Sequence, residues 1–236
     1  MAFEFPVCTE EENTKRVLQE ARQFAKKNKA KALLVFDFDE LLTFNHASRV
    51  LTHLTASKEI RDAILNTFRD YSFKALLALS NLKIGMSKRD YLEAIEEAKE
   101  ELRFRPEALE VLKFFSKRKD CKVLVLSAGS FFIQSELFRR AKLNVPVFAC
   151  RLAFHKNNVI GSEVIFLDES KSLFVRTLKR SKNFKKVFVL GHSKGDAGMM
   201  REGIGISVNG DEFANAAAKY KVKDLLEARD LIETFL

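Results

Sequence analysis

The segment ALLVFDFDELL, residues 32–42, gives the strongest indication of fold class in this sequence. Residues 32–36 form a continuous apolar run with the length and composition of a β-strand buried on both faces, as in a parallel sheet. Asp37 and Asp39 follow this run, and a spacing of two places both carboxylates on one side of an extended chain. They could share a divalent metal ion or divide the roles of nucleophile and acid/base. Carboxylates at strand ends are also common turn formers, so both interpretations remain open.

Four further apolar runs have the same character and are separated by helical patterns. They lie at residues 122–127, 146–150, 186–191 and 203–208. Strands and helices that alternate in this way predict an α/β fold with a doubly wound parallel sheet, the Rossmann-like arrangement. Residues 9–12 (TEEE) have the pattern of a helix capping box, which predicts a helix to about Lys27. Residues 151–164 alternate around Asn157-Asn158, which predicts a β-hairpin.

The connection between the first two predicted strands is much longer than a direct βα link requires. It contains helical patterns at residues 58–68 and 87–102, the second with a capping signature at its start, and no comparable β run. We therefore predict that residues 44–103 form an inserted helical cap, and that residues 1–43 and 104–236 form the core. Pro106 is expected in the first turn of the helix that returns the chain to the core.

The composition narrows the class of protein. The chain has 236 residues, of which 47% are hydrophobic, enough for one sizeable core and a small appended domain. Cys8, Cys121 and Cys150 are odd in number and include no CxxC pair, so a reducing, cytoplasmic location is predicted. The charged residues near the N-terminus do not fit a secretory signal. No apolar run reaches the roughly 20 residues of a membrane span, so we expect no membrane partner.

The net charge of +9 invites a nucleic-acid hypothesis, because lysine is concentrated in three runs. These runs are residues 26–31, 117–122 and 179–186. The alternative interpretation is that they are solvated faces at helix ends, favoured by the helix dipole. No aromatic-interleaved or helix-turn-helix motif supports nucleic acid. A positive field would attract an anionic substrate under either interpretation.

Residues that follow the predicted strands are candidate site residues, because ligands of open α/β sheets bind beyond the carboxyl ends of the strands. Ser127, Ala128 and Gly129 follow the second strand and precede a helix, where a hydroxyl and free amides can bind phosphate. Small residues also suit any tight turn. Lys171 begins an amphipathic run and could neutralise a phosphate oxygen, or could be an ordinary surface lysine.

In chain order these segments resemble the motifs of the haloacid dehalogenase (HAD) superfamily. DFDELL (37–42) is similar to the DxDx(T/V) nucleophile motif, and LSAG (126–129) to the serine motif. Lys171 matches the motif lysine, and GHSKGD (191–196) is similar to GDxxxD. The resemblance covers nearly all of the chain from residue 32 onward. The cap position and the predicted hairpin look most like the phosphoserine-phosphatase-like branch.

The resemblance implies a metal-dependent phosphatase that hydrolyses a small phosphorylated metabolite through an aspartyl-phosphate intermediate. Asp37 would attack phosphorus, and Asp39 would protonate the leaving group and then activate water. Ser127 with the two following amides, together with Lys171, would hold the phosphoryl oxygens. Mg²⁺ would be bound by Asp37, by the backbone carbonyl of Asp39 and by Asp196, and would offset the charge between phosphate and nucleophile.

The sequence departs from the family pattern in two places. His192 stands where the family has the first acidic metal ligand, and an imidazole there would weaken Mg²⁺ binding or favour Mn²⁺, Co²⁺ or Zn²⁺. It could also be a loop residue without a ligand role. Leu41 stands where Thr or Val is usual, preceded by Glu40 where a small residue is common. Glu40 would raise the pKa of a neighbouring carboxylate or contact an ammonium group of a substrate.

Because of these departures two functions remain open. The first is an active metal-dependent phosphatase, and the second is a catalytically impaired HAD-fold protein that acts as a binding or regulatory subunit.

Overall fold

A computed structural model of the chain describes residues 8–45, 60, 63–64, 66–67, 73–97 and 102–236. The strands are β1 Ala30–Phe36, β2 Cys121–Ser130, β3 Val147–His155, β4 Asn158–Val164, β5 Phe184–Gly191, β6 Ile204–Val208 and β7 Tyr220–Val222. They form one sheet in the order β4-β3-β2-β1-β5-β6-β7. All neighbouring strands are parallel except β3 and β4, which form an antiparallel hairpin. The predicted α/β fold with a mostly parallel sheet is confirmed.

Helices connect the strands and cover both faces of the sheet. In chain order they are α1 Glu10–Lys27, α2 Phe73–Asn81, α3 Lys88–Glu97, α4 Pro106–Ser116, α5 Phe131–Arg140, α6 Asp168–Arg180, α7 Ala197–Glu202, α8 Glu212–Ala217 and α9 Leu225–Glu233. Helices α4, α5 and α9 pack on one face, and α1, α6, α7 and α8 pack on the other. No helix within the described parts of the chain is long and apolar enough to cross a membrane.

The first strand shows why its sequence is apolar without interruption. Leu34 and Phe36 enter the cluster with α4, α5 and α9, whereas Leu33 and Val35 enter the opposite cluster. All four side chains are fully buried. Because successive side chains of a strand point to opposite faces, a strand covered on both faces cannot alternate apolar with polar residues.

The predicted helix starts are present. Thr9 Oγ1 accepts from the Glu12 amide, and Glu12 Oε2 accepts from the Thr9 amide, both at 3.2 Å. Pro106 occupies the first turn of α4. The Asp90 amide donates to Ser87 Oγ at 3.1 Å before α3. The Thr9 and Ser87 side chains satisfy amides that have no partner within a helix, and Pro106 has no amide that needs one.

The predicted hairpin is present, but its turn lies one residue earlier than expected. His155 pairs with Asn158, so Lys156 and Asn157 form the turn, with φ values of 46° and 69°. Positive φ at both turn residues is the geometry that matches strand twist in a two-residue hairpin. The register of β3 and β4 is explained by side-chain burial, because this pairing lets Val159 of β4 point into the core.

The chain leaves and re-enters the core at adjacent points. Thr43 forms a β-bridge with Phe104, and the Arg105 amide donates to the Leu42 carbonyl at 2.8 Å. Helices α2 and α3 lie between these points, in the segment where helices were predicted. Much of the predicted helix at residues 58–68, and the end of the one at residues 87–102, lie outside the described residues.

Candidate active site

Five polar side chains that the sequence singled out are buried at the carboxyl ends of β1, β2 and β5. Asp37, Asp39, Ser127, Lys171 and Asp196 are each no more than 5% exposed. Topology brings them together, because β1 lies between β2 and β5 in the sheet. Buried polar groups cost free energy unless they are paired, so their partners indicate what this region can do.

Lys171 lies between two carboxylates. Its Nζ is 2.8 Å from Asp37 Oδ1 and 2.8 Å from Asp196 Oδ1. Burial by itself would lower the pKa of Lys171, but Asp196 and Asp37 raise it above its ordinary value. The ammonium group therefore stays charged, and Lys171 is a buried member of this cluster rather than a surface lysine.

Asp196 is the more heavily hydrogen-bonded of the two carboxylates. Its Oδ2 accepts from the amides of His192 and Ser193 at 3.1 and 3.2 Å and from Ser193 Oγ at 3.0 Å. Burial opposes ionisation, but Lys171 and these donors lower the pKa of Asp196 to about 2. A carboxylate held in this way stays ionised and keeps a fixed orientation.

Asp37 has fewer partners. Its amide donates to the Leu190 carbonyl at 3.0 Å, which extends the β1–β5 ladder by one residue, and Lys171 contacts only its Oδ1. Burial, followed by the charge of Asp196, raises the pKa of Asp37 to about 7. An additional positive charge beside Oδ2 would favour the ionised form that a nucleophile requires.

His192 supplies the group that faces this oxygen. Its Nδ1 lies 3.7 Å from Asp37 Oδ2 and 3.5 Å from Asp196 Oδ2. Nδ1 is buried and has no hydrogen-bond partner. Ligand atoms of Asp37, His192 and Asp196 all lie within 4.8 Å of one another. Two carboxylates and an imidazole whose buried nitrogen lacks a partner form a donor set that fits a divalent cation.

The Ser127 hydroxyl is oriented by two donors. It accepts from the Gly129 amide at 2.9 Å and from Gln134 Nε2 at 2.7 Å. The ladder between β2 and β3 is irregular between Leu126 and Ser130, so this segment departs from regular strand geometry although β2 continues to Ser130, further than predicted. Because both donors bond to the oxygen of Ser127, the hydroxyl proton of Ser127 is free to point to a ligand.

Gly129 is required by close packing. A Cβ at this position would lie 2.7 Å from Gln134 Nε2 and 2.9 Å from Asp39 Oδ2. Any larger residue would displace one of these groups. The Asp39 carboxylate therefore lies beside the serine turn, whereas Asp37 contacts Lys171.

Gln134, which orients Ser127, was not predicted from the sequence. Its signal was a polar residue on the buried face of an otherwise apolar helix, since Ile133, Leu137 and Phe138 of α5 are also buried. Gln134 is fully buried, and a core position normally excludes an amide unless it has a partner.

Glu40 adopts a backbone conformation that favours glycine, with φ of 57°. The Leu41 amide donates to the Asp39 carbonyl at 2.7 Å across this tight turn. Glu40 Oε2 lies 3.5 Å from His192 Nε2. The main causes of the raised pKa of Asp37 are burial and the charge of Asp196. Leu41 is buried and serves as an apolar anchor.

Helix α3 and the turn before it border the serine side of the site. Tyr91 is buried, and its hydroxyl lies 2.8 Å from Ser130 Oγ. The turn pairs with the hairpin, because the Gly85 amide donates to the Val159 carbonyl and the Val159 amide donates to the Met86 carbonyl, both at 2.9 Å. These contacts were not predicted from the sequence, because they join segments that are distant in the chain.

Known proteins resemble this chain in structure rather than in sequence. No family model matches it. No curated protein matches it either. A HAD-family hydrolase from Salmonella enterica subsp. enterica serovar Typhi superposes with a TM-score of 0.67 at 14% identity, over 92% of this chain and 78% of that one.

Two phosphoserine phosphatases superpose about as well. A substrate-bound complex gives a TM-score of 0.68 at 18% identity, over 86% of this chain and 99% of that one. The enzyme from T. onnurineus gives 0.63 at 25% identity, over 86% and 94%. These likenesses confirm the HAD fold that the four motifs implied.

Proposed function

We propose that this chain, which has the fold of HAD hydrolases and phosphoserine phosphatases, is a metal-dependent phosphatase for a small phosphomonoester. The observation that carries the proposal is the position of Asp37. One of its oxygens contacts Lys171 at 2.8 Å, and the other faces the imidazole of His192 at the end of β1. A carboxylate placed in this way can act as a nucleophile beside groups that stabilise negative charge.

The proposed reaction has two steps, and Asp39 moves a proton in each. Asp37 attacks phosphorus while the bond from phosphorus to the leaving oxygen breaks, and protonated Asp39 gives its proton to that oxygen. Asp39 then takes a proton from water as the water oxygen attacks the aspartyl phosphate. This second attack releases inorganic phosphate and restores the carboxylate of Asp37. The position of Asp39 beside Gly129 supports separate roles for the two carboxylates.

Ser127 and Lys171 are proposed to hold the phosphoryl oxygens, with the backbone of Ala128 and Gly129. Two donors already occupy the acceptor positions of the Ser127 hydroxyl, so its proton is available to a phosphoryl oxygen. Lys171 has three N–H donors, of which the two carboxylates use two. The third would stabilise the charge that develops on the transferred group.

Asp37, Asp196 and His192 are proposed to hold the divalent cation, with the backbone carbonyl of Asp39. When bound, the cation would offset the negative charge between the phosphate and the nucleophile. Mg²⁺ is the ion that the family resemblance implies, but the imidazole favours Mn²⁺ or another transition metal. Glu40, 3.5 Å from His192 Nε2, would accept a hydrogen bond from that nitrogen and leave Nδ1 as the ligand.

The segment from residue 44 to residue 103 is proposed to close over the site and to limit it to small substrates. Its described part includes Lys83, a half-buried lysine that makes no ion pair with the described residues. Burial lowers the pKa of Lys83 to about 8. An anionic substrate group near this lysine would favour its charged form.

The test is phosphate release from a panel of small phosphomonoesters with Mg²⁺, Mn²⁺ or Co²⁺. Metal-dependent release by the wild type, lost in Asp37→Asn and kept in the exposed control Asp90→Asn, supports the phosphatase. No phosphate release by the wild type, together with release by His192→Asp, would instead support a catalytically impaired binding subunit. No phosphate release by either the wild type or His192→Asp would contradict the proposed reaction.

A further inference from the structure

The amino end of the sheet, opposite the candidate active site, gathers the three lysine runs into one surface. Residues 26–31 join α1 to β1, residues 117–122 join α4 to β2, and residues 179–186 join α6 to β5. We call these three segments the basic face. Because β1 lies between β2 and β5, the segments are neighbours although they are distant in sequence.

Hydrogen bonds show that the three segments are in contact. The Ala30 amide donates to the Asn183 carbonyl at 3.1 Å, and the Ala32 amide donates to the Asp120 carbonyl at 3.0 Å. Asn183 Nδ2 also donates to the Ala25 carbonyl at 2.7 Å. Adjacent strands lie about 4.8 Å apart, so the starts of β2 and β5, on either side of β1, are separated by roughly 10 Å.

Ten lysines of this face are exposed, whereas the half-buried Lys186 donates to the Phe235 carbonyl. The first segment exposes Lys26, Lys27, Lys29 and Lys31, the second exposes Lys117, Lys119 and Lys122, and the third exposes Lys179, Lys182 and Lys185. None of them makes an ion pair with a residue that the structure describes. The carboxylate of Asp120 is engaged by Arg118. Arg118 also pairs with Glu233 at 3.4 Å, so the positive charge of the face comes mainly from the ten exposed lysines.

The helix dipole accounts for only part of this charge. Lys26 and Lys27 lie in the last turn of α1, and Lys179 lies in the last turn of α6, where a cation is favoured. Lys122 and Lys185 lie within strands, beyond the reach of the dipole. Like charges held this close repel one another. The helix dipole therefore does not explain why so many lysines lie on one face.

We propose that the basic face binds the phosphate backbone of double-stranded nucleic acid without sequence preference. A duplex carries one negative charge per roughly 1.7 Å of its axis, so several phosphates fit against three adjacent segments. Lysine acts as a point charge suited to phosphates, and contacts to phosphates carry no sequence information.

A membrane surface is the less suitable partner. Proteins that lie on a membrane insert apolar side chains between the headgroups, in addition to their basic residues. The large exposed hydrophobic side chains of the described residues are Phe44, Ile60, Leu82, Ile84, Leu92 and Phe213. None of them belongs to the basic face.

The experiment is a fluorescence-anisotropy titration of a labelled DNA duplex and a labelled RNA duplex, each of two unrelated sequences, across salt concentrations. Binding should be measurable at about 50 mM salt and should weaken at least a hundredfold by about 200 mM. The logarithm of the affinity should fall linearly with the logarithm of the salt concentration, and the two sequences should bind alike.

Paired charge reversals locate the contact. Lys29→Glu with Lys31→Glu, and Lys182→Glu with Lys185→Glu, should each weaken binding at least tenfold. The matched control, Lys156→Glu with Lys223→Glu, changes the net charge equally at the other end of the sheet and should weaken it less than threefold. Because all these lysines are exposed, circular dichroism should show every variant folded.

Three results would overturn the proposal. One is no duplex binding at low salt, and another is equal loss in the control and the face variants, which would mean a net-charge effect. The third is stronger binding to phosphatidylserine vesicles than to either duplex.

Discussion

The two ends of the parallel sheet use lysine in opposite ways. At the carboxyl end, Lys171 is buried between Asp37 and Asp196, 2.8 Å from each. At the amino end, ten lysines of the basic face are exposed and make no ion pair with the described residues. A buried charge must be paired, whereas water solvates an exposed one. Lysine therefore fixes the geometry of a site at one end and sets the surface potential at the other.

Removing one lysine from each end of the sheet should have very different effects on stability. Lys171→Met leaves two buried carboxylates uncompensated and should lower the free energy of unfolding by about 3–5 kcal/mol. The control Lys179→Met lies on the same helix but is exposed, and should change it by less than about 0.5 kcal/mol. Urea unfolding of both variants measures the difference. Equal effects would contradict the distinction between the two ends.

The carboxyl end is expected to bind metal through His192. On metal-stripped protein, His192→Asp should strengthen Mg²⁺ binding at least tenfold and weaken the preference for Co²⁺, because Mg²⁺ prefers oxygen ligands. Calorimetry and the visible absorption of bound Co²⁺ measure both without any turnover. His192→Ala removes the imidazole without adding an oxygen ligand and should not strengthen Mg²⁺ binding. Unchanged affinities in His192→Asp would exclude His192 as a ligand.

Backbone strain allows the same comparison, because Glu40 at the carboxyl end and Lys182 at the amino end both have φ of 57°. Replacing either residue with glycine should relieve the strained conformation and raise the free energy of unfolding by up to about 1 kcal/mol. Only Glu40→Gly should also weaken Co²⁺ binding, by about tenfold, because Glu40 lies beside His192. Thermal unfolding and calorimetry separate the two effects. Loss of Co²⁺ affinity in Lys182→Gly as well would contradict a specific role for Glu40.

The smallest expected effect concerns repulsion within the basic face. Lys122→Glu should raise the free energy of unfolding by a few tenths of a kcal/mol at low salt, because it replaces a repulsion with an attraction. Added salt should shrink the gain, since ions screen exposed charges. Melting temperatures across salt concentrations measure this change. An identical gain in Lys223→Glu, which lies outside the face, would mean that only the net charge matters.

Much of the fold was predictable because the relevant signals are local. The run at residues 32–36 is apolar at every position, as a strand buried on both faces requires. The capping box at Thr9 and the proline at the start of α4 act within one turn of a helix. The hairpin was found, but its turn was misplaced by one residue, because its register depends on burying Val159 in a core that the local sequence does not describe.

The residues of the candidate site that lie within the four motifs could be predicted from the sequence. Asp37, Ser127, Lys171 and Asp196 were singled out from their order along the chain, and the fold brings them together. Gln134 was missed because its role depends on a hydrogen bond to Ser127, seven residues away across a turn. Tyr91 was missed because its partner, Ser130, lies in another segment.

The alternation of strands and helices, the order of the four motifs and the histidine in the last motif can be read from the sequence alone. Local propensities and apolar periodicity act over a few residues, so they can be read along the chain. Only the tertiary structure decided which charges meet. The strand order places three separate lysine runs on one face, and it places Lys171 between two aspartates and the buried Nδ1 of His192 beside them without a hydrogen-bond partner. The physical reason is that charges interact through space with distance and burial, and sequence separation measures neither.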